Sequence, residues 1–323
     1  MDMRTLALVS ALLAGTAASA QPVATKLDAV AGIPAIDNLT QTQDIGFKSE
    51  GYDRMTVPVR LSGNGPYRFL VDTGADKTAI SRQIAGQLKL VGGASTSVHS
   101  VAGVSTVATA NASLEVARKD VSIQDAPLLD SANMGADGIL GVDSLSSQRV
   151  VFDFEGQTMS IVPSQSAEAA NEPGSIVVKA KRKKGRLLMT DATVNGRNVT
   201  VVVDTGAQVC IGNEALRQKL TARNLTDPLE KVQLLSVTGE QLSGDYMFIK
   251  ELVIGGVTLK NLAVVFTDAH AFHQLDLDRK PALLLGMNAM RAFKKVSIDF
   301  ANRKFRVVLP EASELDIRMA SAS

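Results

Sequence analysis

Phe69-Leu70-Val71-Asp72-Thr73-Gly74-Ala75 returns as Val201-Val202-Val203-Asp204-Thr205-Gly206-Ala207, displaced by 204 − 72 = 132 positions. Each copy is a short apolar run that ends on an acid, a hydroxyl residue and a glycine. Three further matches occur in the same order. Asp137-Gly138-Ile139-Leu140-Gly141 is answered by Leu283-Leu284-Leu285-Gly286, and Val150-Val151-Phe152-Asp153-Phe154 by Val296-Ser297-Ile298-Asp299-Phe300. Ser100-Val101-Ala102-Gly103 is answered by Ser236-Val237-Thr238-Gly239. The offset drifts only as far as 299 − 153 = 146, as loop insertions would make it, so the chain is an internal repeat of one structural unit.

Working outward from the quoted stretch, residues 57–61, the turn Ser62-Gly63-Asn64-Gly65 and residues 67–71 predict a hairpin that runs into Asp72. Residues 188–194, Asn195-Gly196 and residues 199–203 predict its counterpart before Asp204. Ile254-Gly255-Gly256-Val257 predicts another hairpin. Short helices are expected after each Asp-Thr-Gly, near 81–88 and 213–220, and after each later glycine, near 142–147 and 287–294. The class is therefore mainly β with small helices. The Ser-, Ala-, Glu- and Pro-bearing stretch 164–174 reads as a linker between halves 49–163 and 175–310, with 21–48 and 311–323 as flanking segments.

An apolar strand entering Asp-Thr-Gly, followed later in the same half by two apolar residues and a glycine, resembles the retropepsin and pepsin clan of aspartic proteases. The resemblance covers nearly all of 50–163 and 175–310, and Ala75 and Ala207 after the triplets are closer to the retroviral type. It implies a bilobal acid protease fold of two pseudo-two-fold related, barrel-like lobes. It also implies an aspartic endopeptidase whose catalytic pair is Asp72 and Asp204. The chemistry explains the pattern: two carboxyl groups about 3 Å apart cannot both ionise and hold one proton between them. The ionised member takes a proton from water and the protonated member polarises the scissile carbonyl. Gly74 and Gly206 permit the sharp turn after each strand and can orient the carboxylates, while Thr73 and Thr205 stand where the family's threonines cross-brace the two loops. Ile139-Leu140-Gly141 and Leu284-Leu285-Gly286 would pack behind those loops. Residues 100–103 and 236–239, with Gly103 and Gly239, are the flap candidates, although neither holds the tyrosine of a pepsin flap.

Other features receive plainer readings. Asp153 and Asp299 sit inside strand-like runs before turns and read as structural. The basic run of Lys179, Lys181, Arg182, Lys183, Lys184 and Arg186 reads as a solvated hairpin, and His270 and His273 with Asp268 and Asp276 as a solvated loop rather than a metal site. His99 lies beside a flap candidate without an assigned role. Cys210, the only cysteine, reads as a small buried residue and can form neither an internal disulfide nor a cysteine zinc site.

The composition fits this picture. Of 323 residues, 45 % are hydrophobic and 21 % charged, a globular balance. A formal net charge of +1, only 4 % aromatics and no Trp give no reason to expect nucleic acid. Arg4, the apolar stretch 6–14 and Ala18-Ser19-Ala20 read as a signal peptide over 1–20, too short to span a bilayer. Export, most simply to a periplasm, a polypeptide substrate, no cofactor, no metal, no membrane span after cleavage and a monomer with an internal pseudo-dimer are the expectations. Two alternatives stand beside them: a dyad formed between two chains, and a non-catalytic module that binds extended peptide by strand addition.

Overall fold

The computed structural model describes residues 45–46, 55–116, 119–166, 172–221 and 230–310. The expected signal peptide, nearly all of 21–48, the middle of the linker and the tail 311–323 lie outside the described residues.

In the first half, Thr56–Leu61 and Asn64–Val71 form the antiparallel hairpin expected before Asp72. Together with Ala79–Ser81, Thr109–Val116, Lys119–Leu129 and Gly138–Leu140 they close a six-stranded barrel. The second half repeats the order around Thr200–Val203 and Ala282–Leu285 in a larger sheet. Its entry hairpin forms as expected: Arg186–Met189 pairs with Thr200–Val203 and Ala192–Val194 with Arg197–Asn198 across the turn at Asn195-Gly196, and Ala192–Val194 pairs on its other edge with Gln241–Ile254. The expected hairpin turn at Gly255-Gly256 joins Gln241–Ile254 to Val257–Phe266, with both glycines at positive φ (54° and 89°). Helices follow each Asp-Thr-Gly (Arg82–Gln87, Glu214–Thr221) and each later glycine (Val142–Leu145, Met287–Met290). Among the described residues no helix is long and apolar enough to cross a membrane.

The two quoted runs are apolar without alternation because both of their faces are covered. Side chains on a strand alternate between faces. Phe69 and Val71 enter the main core while Leu70 packs on the other side with Met134, Val98 and Val237. Likewise Val201 and Val203 face the main core, and Val202 joins Phe272, Leu275 and Val101. Each run lies parallel to the later apolar segment of its own half, in register Val71↔Leu140 and Val203↔Leu285.

A sheet built from both halves joins them, in the order Ile45–Gly46, Thr158–Pro163, Gln148–Asp153, Lys295–Asp299, Lys304–Val308, Ser175–Lys179. At its centre Val151 faces Ser297, and these two are repeat equivalents. The pseudo-two-fold axis therefore passes through that pair. The flanking register is reciprocal: Arg149 opposes Asp299, and Asp153 opposes Lys295, with Lys295 Nζ 3.3 Å from the Asp153 carboxylate. Asp153 also accepts from Gly156 N (2.7 Å), and Asp299 from Asn302 N (2.8 Å). These acids cap turns, in keeping with their structural reading.

Candidate active site

Asp72 and Asp204 stand at the C-terminal ends of parallel strand pairs. Asp72 N donates to Leu140 O (3.0 Å) and Asp204 N to Leu285 O (3.1 Å), so each later apolar segment carries on the ladder that ends at the acid. The segments must then terminate in glycine. A side chain at Gly141 would strike the Lys77 backbone at 2.5 Å, and one at Gly286 the Val209 backbone at 2.6 Å.

The two Asp-Thr-Gly loops lock onto each other through four hydrogen bonds. Thr73 N donates to Thr205 Oγ1 (3.0 Å) and Thr205 N to Thr73 Oγ1 (3.0 Å). Thr73 Oγ1 donates in turn to Val203 O (2.9 Å), and Thr205 Oγ1 to Val71 O (2.7 Å). Each hydroxyl thus accepts from the opposite loop and donates to the opposite strand. Both threonines are buried, so no water competes for these bonds.

This brace brings the carboxyl groups together. Gly74 N donates to Asp72 Oδ1 (2.8 Å), while Gly206 N (3.0 Å) and Ala207 N (3.2 Å) donate to Asp204 Oδ1. Each carboxyl lies over the glycine of the opposite loop. A methyl group on Gly206 would sit 2.3 Å from Asp72 Cγ, and one on Gly74 2.7 Å from Asp204 Oδ1. Asp204 is buried and Asp72 half-buried. Burial, then the charge of Asp72, pushes the Asp204 carboxyl up to about 7, against the pull of Arg186 and the two backbone donors.

Arg186 was not singled out by the sequence reading, which placed it in a solvated basic run. The run is a hairpin, Lys181–Lys183 with Arg186–Met189, but its members differ in setting. Arg186 is buried, donating through Nε (2.9 Å) and Nη2 (2.5 Å) to Gly74 O of the other half's loop, with Nη1 3.0 Å from Asp76. Lys183 and Lys184 pair with Asp276 and donate to the carbonyls of Leu275 and Gln274. Those carbonyls are orphaned at the end of the helix His270–Gln274, where cations are favoured. A signal for Arg186 did exist: Arg54 and Arg186 stand the same 18 residues before their aspartates (72 − 54 = 18; 204 − 186 = 18).

The histidine segment expected as a solvated loop is that same short helix, with Phe272 fully buried. An apolar residue set between two polar histidines gives the turn a core-facing side. The flap candidates are hairpin tips, Ser100 N to Gly103 O (2.8 Å) and Gly239 N to Ser236 O (3.0 Å), and each crosses to the opposite half. Val101 O accepts from His270 N (2.9 Å), while Gly239 lies against the Asn133 side chain on the helix Ser131–Met134. Ser105 of one hairpin donates to Glu240 of the other. Cys210 is fully buried beside Asp204, its thiol pushed up to about 12 by burial, and its sulfur accepts from Gly286 N (3.3 Å).

A model of the aspartyl protease family matches residues 190–289, and the model for gag-polyprotein aspartyl proteases matches residues 57–147. No curated protein matches the chain significantly. The two matched segments contain the two braced loops, one in each, and such domains mark a peptidase. The chain belongs to the retropepsin-like aspartyl protease family, with two family segments in tandem on one polypeptide.

Proposed function

We propose that the protein is an aspartic endopeptidase in which Asp72 and Asp204 act as one catalytic unit around a water molecule. The observation that carries this reading is the reciprocal packing of each carboxyl over the opposite glycine, held by the threonine brace. A lone turn-forming aspartate needs no such partner. Water attacks the scissile carbonyl carbon and yields a proton to the ionised carboxyl, while the protonated carboxyl gives its proton to the carbonyl oxygen. Collapse of the tetrahedral species breaks the C–N bond, and the amine leaves with a proton from the pair. The one-proton form persists up to about pH 7, where the raised Asp204 carboxyl ionises. Activity in mildly acid to near-neutral conditions follows.

Both loops come from one chain, which supports a monomer with an internal pseudo-dimer. The leader pattern over 1–20 supports export, and exposed or extended segments of envelope proteins are the substrates that best suit that location. The test is digestion of a peptide library by the purified mature protein across pH, with Asp204→Asn as the blank. Cleavage lost in the blank supports the dyad. Binding of a transition-state analogue without cleavage by the parent protein would replace it with the peptide-binding alternative.

A further inference from the structure

The chain contains three histidines, and the fold brings all of them to one place. His99 ends the strand Thr96–His99 of the first flap hairpin, while His270 and His273 belong to the helix His270–Gln274 of the other half. His99 Nδ1 and His270 Nε2 are 2.9 Å apart, across 171 residues of sequence. The ring planes differ by 13° and the centroids lie 5.1 Å apart, close to the nitrogen separation plus both ring radii. The rings therefore meet nearly edge to edge, with one nitrogen's lone pair aimed at the other's N–H. Such a bond needs one donor and one acceptor, and two imidazolium rings would point two N–H groups at each other.

We propose that His99 and His270 form a proton-gated latch that positions the flap hairpin of residues 96–107: one N–H···N bond holds it against the opposite half while the pair carries at most one proton, and a second proton releases it. The inference rests on reading this hairpin as a flap over the cleft. The surroundings set the direction. Burial, then the neighbouring His99 and His273, holds His270 below the ordinary imidazole range, with Asp268 opposing them. A group whose protonation is disfavoured in the closed form takes up its proton more readily in the open one, so falling pH favours opening. His273 is paired with Asp268 (2.8 Å), and Lys183, Lys184 and Asp276 compensate one another at the far end of the helix.

Among the described residues, the other contacts that tie this hairpin to the opposite half are a backbone hydrogen bond, an apolar cluster and an ionised carboxylate. The Val101 O to His270 N bond is backbone, and Val101 sits in an apolar cluster with Phe272 and Leu275. Glu240, which accepts from Ser105 of this hairpin, is held down at about 2 by its hydroxyl donors and stays ionised throughout. The histidine pair is thus the part of the closure that responds to mild acid. Its role is positional, since neither ring needs to touch a substrate.

The test is hydrogen exchange of peptides covering 96–107 in full-length Asp72→Asn protein, at about pH 7.5 and about pH 5, on either side of an ordinary imidazole pKa. Rates are corrected for intrinsic pH dependence. Loss of one net hydrogen bond predicts about fivefold weaker protection at the acid pH. His99→Gln, which can still hydrogen-bond but does not titrate, should abolish that difference, and His273→Gln should keep it. Equal protection of the parent hairpin at both pH values would overturn the latch, as would an unchanged response in His99→Gln. Because the readout needs no catalysis, failure of the protease reading would show separately, as absent peptide cleavage by the protein with Asp72 intact.

Discussion

A single methyl group on Gly206 tests whether the carboxyl pair depends on the close approach of the two loops. In Gly206→Ala the new Cβ would lie 2.3 Å from Asp72 Cγ and Oδ2 and 2.5 Å from Oδ1. Ordinary contact begins near 3.4 Å, so the carboxyl or the loop must yield by 3.4 − 2.3 = 1.1 Å. The loop is the stiffer partner, because Thr205 ties it to Val71 O and to Thr73 N. Asp72 is half-buried and has solvent on one side, so it retreats. A misplacement of about 1 Å at reacting groups costs on the order of 10²-fold in rate. Overpacking should also lower stability by about 1–3 kcal/mol. The assay is kcat on a peptide cleaved by the parent, beside a thermal melt. Gly86→Ala supplies the control: its Cβ meets no atom within 4 Å, it lies in the helix Arg82–Gln87, and it should gain about 0.5–1 kcal/mol without a change in kcat. A folded Gly206→Ala enzyme within threefold of the parent kcat would refute the claim that the dyad is assembled by this contact. Gly74→Ala, with a shortfall of 3.4 − 2.7 = 0.7 Å against Asp204, should be the milder lesion.

Four other outcomes follow from the same geometry. Asp72→Asn and Asp204→Asn should each remove nearly all cleavage, and the double variant should lose no more, as groups acting in one unit are not additive. Thr205→Val deletes a donor to Val71 O and an acceptor for Thr73 N, so the melting temperature should fall by the equivalent of about 1–3 kcal/mol, whereas Thr205→Ser should recover most of it. The pH–rate profile should fall as the Asp204 carboxyl ionises near pH 7. Stability should fall as pH rises from the ordinary carboxylate pKa and level off near pH 7, because over that range the unfolded carboxyl ionises while the folded one stays protonated. Serines at Ala75 and Ala207 could donate to the carboxylates and should move the acid limb of the profile downward, which a titration of kcat/KM would detect.

Much of this was legible because the repeat samples the same structural demand twice. The unbroken apolar character of 69–71 and 201–203 records strands covered on both faces, and the glycines at 141 and 286 record a backbone contact that admits no side chain. What stayed hidden depends on contacts between the halves. Nothing local marks His270-Ala271-Phe272-His273 as a platform for a hairpin 171 residues away, and the buried Phe272 is one residue in a polar stretch. Within the basic run, which is otherwise the solvated hairpin expected, Arg186 alone was misread, for a related reason. Charge composition reports solvation on average, while Arg186 earns its burial through one carbonyl and one carboxylate on the opposite loop. Its recurrence at the same distance before each Asp-Thr-Gly was the clue, and the strand register explains it: Leu188 opposes Val202 as Thr56 opposes Leu70.

Fusion of the two halves lets the two loops become unequal, and the carboxylate partner of Arg186 shows where they have. Its carboxylate partner is Asp76, two residues past Gly74, whereas the second half carries Gln208 at the corresponding place. Two identical chains would have to place the same charge on both sides of the dyad, but one chain need not. The guanidinium pulls on Asp204 against the burial and the Asp72 charge that raise it. Removing it in Arg186→Met takes away a charge that favours ionised Asp204, so the basic limb of the pH–rate profile should move to higher pH. The mirror change Gln208→Glu should act in the opposite sense to a cation, raising the limb by adding negative charge to the second loop. Profiles of kcat/KM for both variants decide the matter. A limb that moves down in Arg186→Met, with the protein still folded by its melt, would show that Arg186 acts through the position of Gly74 O rather than through its charge.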